Sequence, residues 1–194
     1  IKRKGNYFFS HKTMKKEIKR ILNFWFKECN SKDWFKKDEC FDNQIKNNFG
    51  EQIEEAVLGY YNHWAKSLES SLALIILTDQ FTRNVFRGTP RSFSGDTLAL
   101  NTCLHCLNTF DISQQNREKA HFTLIPLMHS ENLRIQEMSL PLFRAHTSDK
   151  VYQYALKHKN IIARFGRFPH RNAILGRTST ASEIEFLKSP VSFF

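Results

Sequence analysis

Glycine and proline are scarce in this sequence, seven and five among 194 residues. A sandwich or barrel of short strands needs turn residues about every ten positions, and so few breakers exclude one. Long apolar runs are missing too. The longest, Leu72 to Leu77, falls far short of the roughly 20 residues that cross a bilayer. The four cysteines, Cys29, Cys40, Cys103 and Cys106, follow no secretory leader. The apolar stretch from Ile18 to Phe26 is broken by Lys19, Arg20 and Asn23 and ends at no small-residue cleavage site. Free thiols in a reducing cytoplasm are therefore expected. There is no nucleophile elbow, no Gly-rich phosphate loop and no paired zinc motif, so neither cofactor nor metal is expected. Cys103-Leu-His-Cys106 has the spacing of half a zinc knuckle, but its second pair is absent and the segment reads as helix.

What is present is a chain of 22.9 kDa, 41% hydrophobic and 25% charged, the size of one ordinary domain and able to bury a core without staples. The net charge of +10 is unevenly placed. Residues 1–20 carry eight Lys/Arg against one Glu, residues 21–156 are slightly acidic, and residues 157–177 carry six Lys/Arg and no acid. Met14-Lys15-Lys16-Glu17 reads as a start running into a helix, so residues 1–13 are expected to be a non-native or disordered leader and 14–194 a single helical domain. The block at 157–177, Arg-rich and interleaved with Phe, His, Pro and Gly, is the electrostatic signal that remains.

Apolar spacing is helical almost throughout. Ile18, Ile21, Leu22, Trp25, Phe26 and Cys29 form one stripe, then Asn30 to Asp33 breaks it. Phe41, Ile45 and Phe49 mark a second helix, and Ile53, Ala56, Val57, Tyr60, Tyr61 and Trp64 a third. Leu72–Leu77 is apolar on every side and predicts a surrounded, central helix, capped at Ser70 and stopped at Gly88-Thr89-Pro90. Later stripes run through Leu100–Phe110, from a loop and cap at Asp111–Ser113 to about Ile125 with a break or bend at Pro126, and through 131–145 with a kink at Pro141. Val151 to Phe165 is a long face closed by Gly166, and Thr180-Ala-Ser-Glu183 is a capping box. The expected fold is all-α: an antiparallel array of about eight to ten helices.

Three segments carry candidate chemistry. Asp79, Arg83 and Arg87 fall at i, i+4 and i+8 at the end of the most apolar helix. Charges leaving a buried helix must be paired or bind something, so this is either a structural Asp79–Arg83 pair or an Arg pair aimed at an anion. His129 and Glu131 flank Ser130 where a helix turns into a loop; Ser130 suits a cap, and His129 is open to acid–base or ligand work. In Arg164-Phe165-Gly166-Arg167-Phe168-Pro169-His170-Arg171-Asn172, guanidinium forks suit phosphate or carboxylate and the two Phe anchor the loop. His158 lies on the apolar stripe just before it, where a satisfied core histidine competes with a ligand.

Asn23-Phe-Trp-Phe26, Trp34-Phe35, Ala73 through Asp79-Gln-Phe-x-Arg-Asn-x-Phe-Arg-Gly88, Pro126-Leu-Met-His-Ser-Glu131 and Arg164 through Asn172 together resemble the mostly bacterial family of unknown function numbered 924. The resemblance runs from about Ile18 to Leu187. It implies an all-helical fold similar to tetratricopeptide-repeat superhelices, although no 34-residue repeat is visible in the sequence itself, and it implies no reaction. Thr82 stands where that family usually has Pro, and Pro141 in a helix normally free of it.

The leading functional expectation is a binding module. Its Arg/His-lined cleft would be formed by Asp79, Arg83, Arg87, His129, Glu131, His158, Arg164, Arg167, His170, Arg171 and Asn172. The partner would be a small anion or an acidic, carboxylate-terminated peptide. The alternative is a hydrolase using His129, Glu131 and His170, with or without a metal. A third reading is nucleic-acid binding through 157–177, with no recognised motif behind it. No membrane partner is expected.

Overall fold

Leu72 to Leu77 can avoid water only if other helices surround it, and the computed structural model, which describes residues 11–189, builds the fold around this segment. α4 (Leu68–Ile75) opens on Ser67, whose hydroxyl accepts from Ser70 N at 3.2 Å, so the cap lies three residues before the expected Ser70. The helix widens into a π turn at Ile76–Phe81 and continues as α5 (Thr82–Val85). Residues 70–82 are buried without interruption. Thr82 donates its hydroxyl to the carbonyls of Thr78 (2.9 Å) and Asp79 (3.2 Å). A π turn loosens the i to i−4 ladder, so a residue contributing side-chain rather than backbone bonds is tolerated there.

On one side of this axis pack α1 (His11–Asn23), α2 (Ser31–Phe35) and α3 (Glu39–Val57). A second π turn, Phe24–Glu28, lets Phe24 and Trp25 both face inward. Phe24, Trp25, Phe49, Phe81 and Phe122 meet edge to face or tilted at 5.0–6.0 Å between centroids. α3 is one helix where the sequence suggested two: Gly50 sits within it, and the stripe from Phe41 carries through to Ala56. It ends at Leu58, and Gly59 turns the chain with φ +82°.

On the other side lie α6 (Asp96–Thr109), α7 (Arg117–Met128), α8 (Leu133–His146) and α9 (Asp149–Phe165), each packed on the next. Pro126 does not break α7. It stands three residues from the end, where it forfeits one backbone bond, and Asn116 rather than the expected Asp111–Ser113 segment caps the start. Pro141 likewise lies inside a continuous α8. Gly166 ends α9 in the left-handed region at φ +70°, and Thr180 and Glu183 form the expected capping box of α10 (Ala181–Leu187). Cys103 and Cys106 face the core of α6, where burial raises both thiol pKa values. The described residues contain no strand. Of the expected leader, residues 1–10 lie outside the described residues, and His11–Thr13 form the first turn of α1.

Candidate functional site

The π turn in the central helix decides which charges meet. It adds a residue to the turn, and Phe86 then leaves the helical region (φ −109°, ψ 23°), so Arg87 no longer shares the face on which Asp79 and Arg83 meet. Arg87 instead pairs bidentately with Asp42 of α3 at 2.6 and 2.9 Å and is exposed. Asp79 points the other way, toward α6 and α7, and is fully buried.

Asp79 Oδ1 lies 2.8 Å from His129 Nδ1 and 3.4 Å from Arg83 Nη2, while Gln80 Nε2 donates to Oδ2. Burial alone would raise the Asp79 carboxyl, but Arg83 and His129 overturn that and hold it well below the usual carboxylate range. For His129 the balance runs the other way. Burial and the Arg83 guanidinium outweigh Asp79, so its pKa falls below the ordinary imidazole value and the ring is neutral at pH 7. A neutral ring beside a carboxylate carries its proton on Nδ1. Nε2 is left with its lone pair, the bond to Asp79 engaging Nδ1 alone.

Arg83 Nη1 donates to Asp79 O (3.0 Å), Ser92 O (3.3 Å) and Asp96 Oδ1 (2.8 Å). Asp96 Oδ2 in turn accepts from Arg171 Nη1 at 3.2 Å, and Arg171 Nη2 donates to His129 O at 3.0 Å. The Arg171 guanidinium lies 4.7 Å from both the Phe93 and Phe168 ring centres, and burial together with Arg83 lowers its pKa to about 10. Glu131 receives Arg177 through both oxygens (2.8 and 3.0 Å) and the Phe168 amide at 2.7 Å. Burial works against the Glu131 charge; Arg177 and that amide more than offset it and lower its pKa.

These contacts tie the α7–α8 turn, the first turn of α6 and the 168–177 loop to the central helix. Between them lies a cavity of about 200 Å³ whose lining includes Asp96, Pro126, His129, Ser130, Glu131 and Arg171. Five of the expected residues therefore converge: Asp79 and Arg83 behind the wall, and His129, Glu131 and Arg171 on it. The other six do not line it. Arg87 is on α3's side. Arg164 is exposed over the Phe165 and Phe186 rings at 4.7 and 6.0 Å. Arg167 is held bidentately by Glu183 (2.7 and 2.8 Å), and Asn172 Nδ2 donates to Ser179. His170 is exposed beside Phe168, and His158 is a core histidine whose Nδ1 bonds Tyr154 O at 2.8 Å. In the hydrolase trio only His129 keeps an open nitrogen, because Glu131 is fully engaged and His170 lies outside the cavity wall.

Two members of the cluster, Asp96 and Arg177, were not expected. Asp96 follows Gly95, whose Cβ, if present, would meet Thr78 O at 2.0 Å, so only glycine lets α6 start against the π turn. Arg177 was visible only as charge in the basic block. Of the six cations in that block, Arg167, Arg171 and Arg177 are paired with acids. Among the described residues no group of three or more His, Cys, Asp or Glu is placed to hold a metal ion, and no helix is long and apolar enough to cross a membrane.

The fold and the cluster thus define an all-helical protein in which a buried ion network walls a small polar cavity. The chain belongs to the family described as bacterial protein of unknown function, DUF924, whose pattern matches residues 21–191. Among solved structures it is similar to the protein of unknown function ATU0120 from Agrobacterium tumefaciens, with 32% identity and a TM-score of 0.85, covering 90% of this chain and 98% of that one. No curated protein matches.

Proposed function

We propose that this is a binding protein for a small molecule bearing an anionic oxygen group, a carboxylate or a phosphate-type oxyanion, seated beside His129 and Arg171. Arg171 carries the reading. Its guanidinium is buried on the cavity wall, fixed through Nη1 and Nη2, and its Nε has no acceptor. A guanidinium locked by packing and by its own hydrogen bonds is a pre-organised fork for a carboxylate or phosphate oxygen. The cavity, about 200 Å³, is smaller than the roughly 300–1,000 Å³ of drug-sized sites. This favours an acid of a few heavy atoms and gives the peptide reading little support. Backbone NMR titration with sodium acetate and with sodium sulfate tests it. Shifts should cluster at Asp96, His129, Ser130 and residues 168–172 and vanish in Arg171→Gln, with circular dichroism confirming that the variant folds. Absent or uniformly scattered shifts overturn the reading.

The second reading, a hydrolase, rests on the Asp79–His129 pair alone. A buried carboxylate that fixes the imidazole tautomer and leaves Nε2 open is what a general base requires. Hydrolysis of small esters or phosphate esters that is lost in His129→Ala would support it. The nucleic-acid reading loses support with the pairing of Arg167, Arg171 and Arg177. The tetratricopeptide-like character belongs to this proposal through the consecutive antiparallel packing of α6 to α9. The cytoplasmic location belongs to it through four unpaired thiols.

A further inference from the structure

The charge balance around the cavity sets a condition on any anion that enters it. From the central helix come Asp79 and Arg83, from the first turn of α6 Asp96, from the α7–α8 turn Glu131, and from the loop after α9 Arg171 and Arg177. Three carboxylates face three guanidiniums, joined in a chain of ion pairs and hydrogen bonds. A bound monoanion therefore adds an uncompensated negative charge to an internally neutral network that is buried at Asp79 and Arg171 and partly exposed at Asp96, Glu131 and Arg177, which is costly unless a positive charge arrives with it. His129 is the one group on the wall that can supply it. Its neighbours on α7 and α9, His121 and His158, are withdrawn: His158 sits with its ring 6.4 Å from that of His129 and its Nδ1 on a backbone carbonyl, and His121 stacks between Phe35 and Phe122. His170, on the loop after α9, lies outside the lining.

We propose that the cavity takes its anion together with one proton from solvent. The proton adds to the His129 Nε2 lone pair, Nδ1–H stays on Asp79, and the new Nε2–H donates to an anionic oxygen that Arg171 holds from the other side. The inference rests on the anion-binding reading above and assigns that site its coupling to pH. Asp79 is the device that makes it work. Its buried carboxylate stands ready to stabilise the imidazolium, while burial and Arg83 keep the free ring neutral. The free site is thus poised uncharged, and occupancy charges it.

Isothermal titration of the whole chain with sodium acetate and, separately, sodium sulfate separates this from the parent reading. Neither anion titrates between pH 6 and 8, and the two distinguish a carboxylate from a tetrahedral oxyanion. At one pH and ionic strength, the apparent heat should differ between HEPES and Tris buffers by an amount corresponding to uptake of close to one proton per anion. The dissociation constant should rise with pH, approaching tenfold per unit between the free and occupied pKa of His129. His158→Gln should keep this linkage, and His129→Asn should bind more weakly with no buffer dependence. If His129→Asn fails to fold, imidazole 15N shifts of the wild type read the same event, His129 moving to the imidazolium pattern on saturation. Heat that is the same in both buffers, with His129 remaining neutral, overturns the proton coupling and leaves the binding site standing. No heat and no shift with either anion removes the binding reading itself.

Discussion

Glu131 ties the α7–α8 turn to the 168–177 loop, alongside the Arg171 bond to His129 O, and removing it has a calculable cost. Its carboxylate accepts the Phe168 amide at 2.7 Å and both terminal nitrogens of Arg177. Phe168 is fully buried, so in Glu131→Ala its N–H keeps neither this acceptor nor access to water. An orphaned buried amide costs about 1–3 kcal/mol, and the bidentate pair, about a quarter exposed on each side, adds about 1 kcal/mol. The expected loss is about 2–4 kcal/mol, equivalent to a fall in Tm of roughly 5–15 °C for a chain of this size. Glu131→Gln still offers an oxygen to the amide and should lose only about 1 kcal/mol. Urea unfolding followed by circular dichroism measures all three proteins, and adding Arg177→Ala to each closes a double-mutant cycle. Coupling of about 1 kcal/mol or more is expected between residues 131 and 177. If Glu131→Ala unfolds within about 0.5 kcal/mol of wild type, the loop is not held by this carboxylate and the placement of Arg171 needs another cause.

Gly95→Ala should lose about 3 kcal/mol or more, beyond the usual cost of overpacking, because the added methyl meets a backbone carbonyl and not a yielding side chain; denaturant midpoints measure it. Asp79→Asn should lose about 3 kcal/mol, since Arg83 and His129 keep their places without the charge between them, and the His129 Nδ1–H resonance should shift in 15N NMR. His158 gives the chain an acid-sensitive core. Burial lowers its pKa to about 3 against a normal 6.5, so below pH 6.5 the unfolded state binds a proton that the folded state refuses, and stability falls from there toward pH 3. Between pH 7 and 5 this one group should cost about 2 kcal/mol, and His158→Gln should make that part of the curve shallower by about that amount in urea titrations, leaving the slope from His121 and His170, which burial lowers to about 4.

The central helix, the long α9 and the α10 capping box were legible because each depends on local information: an unbroken apolar run, a 3.6-residue stripe, a Thr and a Glu three apart. Errors in the helices arose where tertiary packing outweighed local breakers. Pro126 stands in a buried turn and α7 runs on to Met128, while α3 continues through Gly50 as one helix. The π turn at Ile76–Phe81 left no trace in residue spacing, yet it turned Arg87 away from Asp79. At the site, the motifs gave His129, Glu131 and Arg171 but not their electrostatic state. The arginines of 164–177 are close together in the chain, and their acids are not: Asp96 lies 75 residues from Arg171, Glu131 46 from Arg177 and Glu183 16 from Arg167. A local density of guanidinium groups therefore overstated the positive field. In the folded chain those groups act mainly as ties between helices. At the cavity, the pairing of Arg171 with Asp96 and of Arg177 with Glu131 leaves the imidazole of His129, whose charge is variable, as the group on which affinity for an anion can turn.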